Sequence, residues 1–207
     1  MKKNFLYIAA AAVLGFSSCV ELDRYPLEEL SDASFWKSPT DAEMAVSDLY
    51  PSLPSIYDVD DAINSDDAVH GIKWAAGNVS KGIYDPLDQS WSGTYAVIRQ
   101  ANLILSKIDD IPNYNQEDKN KVLGQTYFFR AFHYFDLIRT FGDVPYIDKP
   151  LTLADQEGIT RTARAEVYTK MMADFDKAIE YLPVTWDGAN YGRITKGAAL
   201  AMKARAA

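Results

Sequence analysis

Residues 125–145 read QTYFFRAFHYFDLIRTFGDVP, and this segment indicates the class of fold. It continues a helical pattern that starts near residue 117 and carries apolar side chains on nearly every face up to residue 141. A helix that is hydrophobic all round is buried on several sides, so we expect it to lie between other helices. Its apolar surface is interrupted by Arg130, His133, Asp136 and Arg139. Gly142 suits the helix end, and Val144-Pro145 prevents continuation.

Four further helices are predicted around this one. The first starts at Ser38-Pro39 and ends before Pro51, because Ser favours the N-cap and Pro the first helical position. Apolar residues at spacings of three and four predict two more, over about 89–109 and 163–182. The last follows its N-cap Thr195, and the chain stops inside that helical pattern. The sequence therefore predicts an all-α fold, and we expect the natural protein to continue.

The end of the fourth helix suggests a repeat. Ala178 and Pro183 resemble the second half of a tetratricopeptide unit. Helices that bury their faces only against neighbours are the basis of helical repeat arrays. We expect tetratricopeptide-like helical hairpins joined by long irregular loops.

Residues 51–90 show neither a helical nor a strand period. An irregular stretch of this length inside a compact domain tends to be functional. Aromatic faces can stack on sugar rings, while carboxylates and amides can bond to sugar hydroxyls. We predict carbohydrate-type recognition in this segment, with five candidate ligand residues: Trp74, Tyr84, Asp66, Asp67 and Asn78. For Trp74, packing within the loop or contact with a partner protein stays open as an alternative.

The sequence predicts neither a metal site nor a cofactor. The acidic segment that starts at Asp58 fails the calcium-binding EF-hand pattern, because Ala62, Ile63 and Val69 occupy positions that need a ligand or a glycine. There is no Gly-rich phosphate loop and no HExxH motif. His133 is interpreted as a structural residue on a packed helix, and His70 could contact ligand or nothing. We therefore predict a protein that is not an enzyme.

The N-terminus predicts export and anchoring. Two lysines are followed by an apolar run from Phe5 to Phe16 and then by Ser17-Ser18-Cys19. This pattern is typical of a secretory signal peptide, here residues 1–18, and the run is shorter than the roughly 20 residues of a membrane span. Cys19, which is the only cysteine, would then receive a lipid such as palmitate. Cleavage without lipidation remains the alternative.

The predicted organisation has three parts: the signal peptide, a lipid-anchored tether and N-terminal segment over 19–37, and a helical domain over 38–207 that is truncated at its C-terminus. Loss of residues 1–18 removes Lys2 and Lys3 and changes the net charge from −8 to −10. An acidic surface argues against nucleic acid, which needs a basic face. Aromatic residues make up 13% of the chain, which suits either recognition or dense packing.

Several segments together resemble the SusD/RagB family of outer-membrane nutrient-binding lipoproteins. The strongest resemblance lies within residues 125–145, in Phe129-Arg130-Ala131, in Tyr134-Phe135-Asp136-Leu137 and in Phe141-Gly142-Asp143-Val144-Pro145. Four other segments follow the family pattern in order: Cys19 to Pro26 with Ser34 to Lys37, Trp91 to Asn102, Glu166 to Pro183, and Gly192 to Ala199. The motif residues that look structural are Trp91, Asn102, Arg130, Asp136, Gly142 and Pro145.

The resemblance implies a surface-exposed lipoprotein of the outer membrane. It implies an all-helical SusD-like fold that sits on a TonB-dependent, SusC-like transporter and binds oligosaccharide or peptide for import. Family members are typically more than twice as long, so this chain would be the N-terminal part. Two alternatives stay open: a secreted hydrolase that uses the loop aspartates, and a helical scaffold without a small ligand.

Overall fold

The computed structural model describes residues 35–54 and 91–207, and the regular elements in these ranges are helical. The α-helices are α1 (Pro39–Ser47), α2 (Trp91–Lys107), α3 (Gln116–Phe141), α4 (Arg164–Tyr181) and α5 (Lys196–Ala206). Short 3-10 turns cover Tyr50–Ser52, Ile108–Asp110, Ala154–Gln156 and Gly188–Asn190. Within these ranges, extended backbone pairs only at an isolated antiparallel bridge between Val144 and Thr162. The predicted all-α class is confirmed.

α1 begins where the sequence predicts, at Ser38-Pro39. The carboxylate of Asp41 accepts hydrogen bonds from the backbone N–H of Ser38 at 2.7 Å and of Lys37 at 3.0 Å. These N–H groups precede the first helical turn, so a side chain inside the helix fixes the direction from which the chain enters. Burial raises the pKa of Asp41, but the hydrogen bonds from Ser38 and Lys37 together outweigh it and hold the pKa below its usual value.

α3 lies between the other helices, as its hydrophobicity on every face predicts. It packs against α1, α2, α4 and α5, and Phe129, Tyr134 and Leu137 along it are fully buried. Asn115 caps its start by accepting a hydrogen bond from the Asp118 N–H at 2.9 Å. Gly142 ends it with φ at 71°, a left-handed conformation that glycine adopts without strain.

The close packing of α3 on the end of α4 depends on Gly124. A Cβ atom at this position would lie 2.9 Å from Leu182 Cγ and 3.0 Å from the Leu182 backbone nitrogen. Real Cβ atoms essentially never approach other atoms so closely. The missing side chain thus sets how near the two helices come.

α2 is shorter than predicted, because its α-helical geometry ends at Lys107 and Ile108–Asp110 continue as a 3-10 turn. The next residues are Ile111-Pro112, and a residue before proline is disfavoured in the α conformation. A tighter last turn is a common way to end a helix under that restriction. On the buried face of α2, Ile104 is fully buried, while its neighbour Leu105 is only half-buried.

α5 begins after Thr195, whose hydroxyl oxygen accepts a hydrogen bond from the Ala198 N–H, as predicted. It packs mainly on α4 and touches α3. Over residues 35–54 and 91–207, we find no helix with the length and hydrophobicity that crossing a bilayer requires.

Candidate functional site

A buried polar cluster joins α2, α3 and α4. Arg130 of α3 donates two hydrogen bonds to the carboxylate of Asp174 on α4, each 2.7 Å long. Its third donor reaches Asn102 Oδ1 on α2 at 2.9 Å. All three side chains are at least nine-tenths buried. A fork-shaped guanidinium suits this geometry, because it offers several donors in fixed directions.

The cluster is a structural ion pair with a hydrogen-bonded amide, and it is not a reactive centre. Burial lowers the pKa of Arg130, but the hydrogen bonds and charge of Asp174 outweigh burial and raise it. Arg130 therefore keeps its proton, and it also lies 5.4 Å from the ring centroid of Tyr127. A buried ion pair of this kind gives little net stability, but losing one partner costs several kcal/mol. What the cluster determines is the relative position of three helices.

The same helices hold the backbone of the segment that follows α3. Asn102 donates to the Ile147 carbonyl at 2.8 Å, and the Tyr95 hydroxyl donates to the Pro145 carbonyl at 2.7 Å. The Tyr134 hydroxyl donates to the Ile147 carbonyl at 2.9 Å and accepts from the Ile147 N–H at 2.6 Å. We call these contacts the backbone clamp of residues 145–147. Burial raises the pKa of Tyr95 and of Tyr134, so both hydroxyls stay protonated.

An aromatic cluster lies where α2 starts. The Trp91 ring packs edge-on against Phe141 at 4.9 Å between centroids and lies 5.2 Å from Tyr95. Trp91 is half-buried. Because Phe141 is the last residue of α3, this contact joins the start of one helix to the end of another.

The structure brings a serine and a histidine together. Ser52 Oγ lies 2.9 Å from His133 Nε2, and it also donates a hydrogen bond to the Leu49 carbonyl at 2.5 Å. Ser52 has a single hydroxyl proton, which the carbonyl contact uses, so its hydrogen bond with His133 requires the tautomer that carries a proton on Nε2. In that tautomer His133 is the donor and does not accept the Ser52 proton. A catalytic base needs the reverse arrangement. Burial lowers the pKa of His133 to about 4, so the ring is neutral at pH 7.

The predicted site residues fall into two groups. The lipid-anchor residue and the ligand candidates of the 51–90 segment lie outside the described residues: Cys19, Asp66, Asp67, Trp74, Asn78 and Tyr84, together with His70. The other group is described and is spread over α2, α3 and the turn after α3. Asn102 and Arg130 meet in the polar cluster, and Pro145 belongs to the backbone clamp.

Asp136 takes no part in the polar cluster. It accepts a hydrogen bond from Arg139 at 2.9 Å, three residues further along the same helix. Both side chains are close to half-exposed.

Two functional positions were not recognised from the sequence alone. Asp174 is the partner of Arg130, and a signal for it exists, because a carboxylate at this position interrupts the buried stripe of α4 between Met171 and Ala178. Tyr134 belongs to the resemblance motif Tyr134-Phe135-Asp136-Leu137, but the sequence does not indicate that its hydroxyl is central to the backbone clamp. Within the part of the chain that the structure describes, no three His, Cys, Asp or Glu side chains group in a way that could hold a metal ion.

Comparison with known proteins agrees with this architecture. Residues 39–207 match a SusD-like family described as starch-binding and associating with the outer membrane. A SusD-like protein of Formosa agariphila is 31% identical over 197 residues, which cover 88% of this chain and 39% of that protein. A second from the same organism is 28% identical over 203 residues, covering 93% of this chain and 39% of that protein. The chain thus spans about two fifths of these relatives.

Solved structures show the same fold. A SusD-like protein from Bacteroides fragilis superimposes with a TM-score of 0.74 at 28% identity, over 88% of this chain and 37% of that chain. A laminarin-binding SusD-like protein superimposes with a TM-score of 0.73 at 24% identity, over 83% of this chain and 40% of that chain. The family match covers all five helices, and the solved relatives share their arrangement. The chain belongs to the SusD-like family.

Proposed function

We propose that the chain is the N-terminal helical part of a lipid-anchored outer-membrane protein that binds an oligosaccharide and delivers it to a TonB-dependent transporter. The match of residues 39–207 to a starch-binding, outer-membrane-associated family carries this proposal. The signal-like residues 1–18 and Cys19 support the anchored location. Binding without catalysis is part of the proposal.

The helical core supports the proposal by offering a rigid base for the 51–90 segment. That segment begins beside Tyr50–Ser52 and ends at Trp91. Tyr50 donates to Gln125 Oε1 at 2.6 Å, Ser52 lies against His133, and Trp91 packs on Phe141. Each of these partners lies on α3. The described residues at the two borders of the segment therefore contact one helix, and a binding loop gains affinity when its anchoring points do not move.

The net charge of −8 favours a neutral glycan over an anionic one. Within the segment, Trp74 and Tyr84 would supply flat faces for sugar rings, while Asp66, Asp67 and Asn78 would bond to hydroxyls. We propose these five residues as contacts to the glycan.

The test is binding of the purified chain to soluble starch, laminarin and a peptide panel, measured by calorimetry. We expect binding to a neutral glycan and no release of reducing sugar. Trp74→Ala should weaken binding about 3- to 10-fold, because stacking of one aromatic face contributes about 0.5–1.5 kcal/mol. Trp74→Tyr keeps a flat ring and should retain most of the affinity.

Two results would oppose this function. Failure of the wild-type chain to bind either glycan or peptide would remove the binding role. Release of reducing sugar that disappears in Asp66→Asn or Asp67→Asn would support the hydrolase alternative instead.

A further inference from the structure

The loop between α4 and α5 carries a tyrosine that projects into solvent. Tyr191 is 91% exposed, and it makes no hydrogen bond or ring contact with the residues that the structure describes. The loop has one other strongly exposed apolar residue, Val184, at 71%. The Tyr191 ring does not contribute to the packing of the described residues. The residues around it therefore indicate which kind of ligand it could contact.

The ends of this loop are hydrogen-bonded to each other and to the core. The Lys196 N–H donates to the Pro183 carbonyl at 2.9 Å. Within the loop, Trp186 Nε1–H donates to the Ile194 carbonyl at 2.8 Å. The Ile194 N–H in turn donates to the Tyr50 hydroxyl at 3.0 Å. The loop therefore stands on a fixed base, even though it lies at the surface.

The backbone on both sides of Tyr191 is also fixed. Asp187 Oδ1 accepts hydrogen bonds from the N–H of Asn190 at 3.0 Å and from its Nδ2 at 2.9 Å. The Arg193 N–H donates to the Asn190 carbonyl at 3.2 Å, with the left-handed Gly192 between them at φ 95°. Asp187 is exposed, and its other carboxylate oxygen has no hydrogen bond to the described residues. The backbone that carries the Tyr191 ring is therefore held in place, and Asp187 offers an unused acceptor on the same turn.

We propose that Tyr191 is a stacking platform for one pyranose ring of a neutral glycan, and that Asp187 accepts a hydrogen bond from a hydroxyl of the same chain of sugars. This contact is separate from the candidate residues of the 51–90 segment and would add a second point of attachment. The inference rests on the proposed glycan binding. A tyrosine suits the task because it offers a large rigid face and loses only two side-chain torsions on binding.

The surroundings of Tyr191 favour a sugar over a protein partner. A specific protein interface buries roughly 800 Å² on each side around an apolar core. On this loop the strongly exposed apolar side chains are Val184 and Tyr191, set among Asp187, Asn190 and two glycines. One aromatic face with polar neighbours matches a sugar ring, which has an apolar face and polar edges.

The test is affinity electrophoresis of the whole chain, purified in detergent, in native gels with and without soluble starch or laminarin. Tyr191→Ala should weaken retardation by the glycan about 3- to 10-fold in apparent Kd. It leaves the net charge unchanged, so mobility without glycan should not change. Tyr191→Phe keeps the ring face and should bind like wild type. Leu153→Ala, which removes another exposed apolar side chain (84%) from a different loop, is the matched control and should also bind like wild type.

The possible results separate this inference from the function on which it rests. Retardation of wild type together with equal retardation of Tyr191→Ala overturns the platform alone. No retardation of wild type by any glycan overturns both. If Tyr191→Phe binds as weakly as Tyr191→Ala, the hydroxyl rather than the face makes the contact, and the stacking proposal is wrong. If Tyr191→Ala keeps glycan affinity but loses a co-purifying protein, the loop is a protein contact and the proposal is again wrong.

Discussion

At Arg130, one buried guanidinium holds side chains from two other helices. It is 7% exposed and bonds to Asp174 on α4 and Asn102 on α2. Such a cluster adds little net stability, because desolvation offsets much of the attraction between the charges. We infer that it serves to specify how the three helices pack. Removing either charge should lower the free energy of unfolding, because the remaining charge stays buried without its partner.

Asp174→Ala should lower the free energy of unfolding by about 3–5 kcal/mol, because it leaves the buried Arg130 without its counter-ion. The double variant Arg130→Met with Asp174→Leu should recover most of that loss. Chemical denaturation measures both. Lys177→Ala, which breaks an exposed pair with Glu180, is the control and should leave the free energy of unfolding nearly unchanged. A loss in Asp174→Ala no greater than in the control would contradict a buried pair.

His133 makes stability depend on pH. Burial lowers the pKa of His133 from 6.5 to about 4. Between these two pH values the unfolded chain binds a proton at this residue, whereas the folded chain does not. Stability should therefore fall as the pH drops from about 6.5 to about 4, by up to about 3 kcal/mol from this residue. Denaturation of wild type and His133→Gln over this range measures the difference. Equal slopes in both proteins would show that His133 is not the group responsible.

At the scale of the elements, the packing of α3 against the end of α4 is set by a missing side chain. Gly124 lies inside a 26-residue helix, where glycine costs about 1 kcal/mol relative to alanine. The approach of Leu182 accounts for it, since no Cβ fits there without movement of the α4 backbone.

Gly124→Ala should destabilise the protein by about 1–3 kcal/mol, because overpacking outweighs the gain in helix propensity. Gly197→Ala on α5 is the matched control. Its Cβ would meet the Thr195 hydroxyl oxygen at an ordinary 3.6 Å, so the change should be neutral or stabilising. Thermal unfolding of both variants tests the contrast, and a stabilised Gly124→Ala protein would refute the close contact.

The sequence predicted the helices better than the side-chain contacts between them. The positions of α1, α3 and α5 followed from local signals: Ser38-Pro39, the apolar run that ends at Gly142, and the cap at Thr195. The polar cluster did not follow, because Arg130 and Asp174 are separated by 44 residues and nothing local relates them. Resemblance marked Arg130 as structural, but only the packing of α3 on α4 identifies its partner.

At the scale of the whole molecule, the N-terminus predicts the location, and membership of the SusD-like family supports the proposed function. Residues 1–18 predict export, and Cys19 predicts a lipid. A single acyl chain gives only marginal membrane binding, whereas two or more anchor a protein stably. The proposed delivery of glycan to a transporter requires a stable anchor of this kind.

Cys19→Ala should release the protein from the membrane fraction into a soluble fraction. Metabolic labelling with palmitate should mark the wild-type chain and not the variant, and mass spectrometry should find the wild-type N-terminus at a lipid-modified Cys19. Cys19 is the sole cysteine, so no other thiol can account for the label. An unmodified thiol at residue 19, or an intact leader, would disprove the anchor.

Two backbone hydrogen bonds, 3.2 and 2.9 Å long, join Val144 and Thr162. They form a neck at the base of the loop between α3 and α4. The backbone clamp fixes residues 145–147 next to one side of this neck, and α4 begins just after the other side. We therefore expect residues 148–161 to accept changes without disturbing the helices. Leu153 lies within this loop, and its side chain is 84% exposed. Such a neck tolerates foreign inserts well, since loop length adds little entropic cost once the ends are fixed. The region around Leu153 is therefore the natural place to graft an epitope or a fluorophore onto this scaffold.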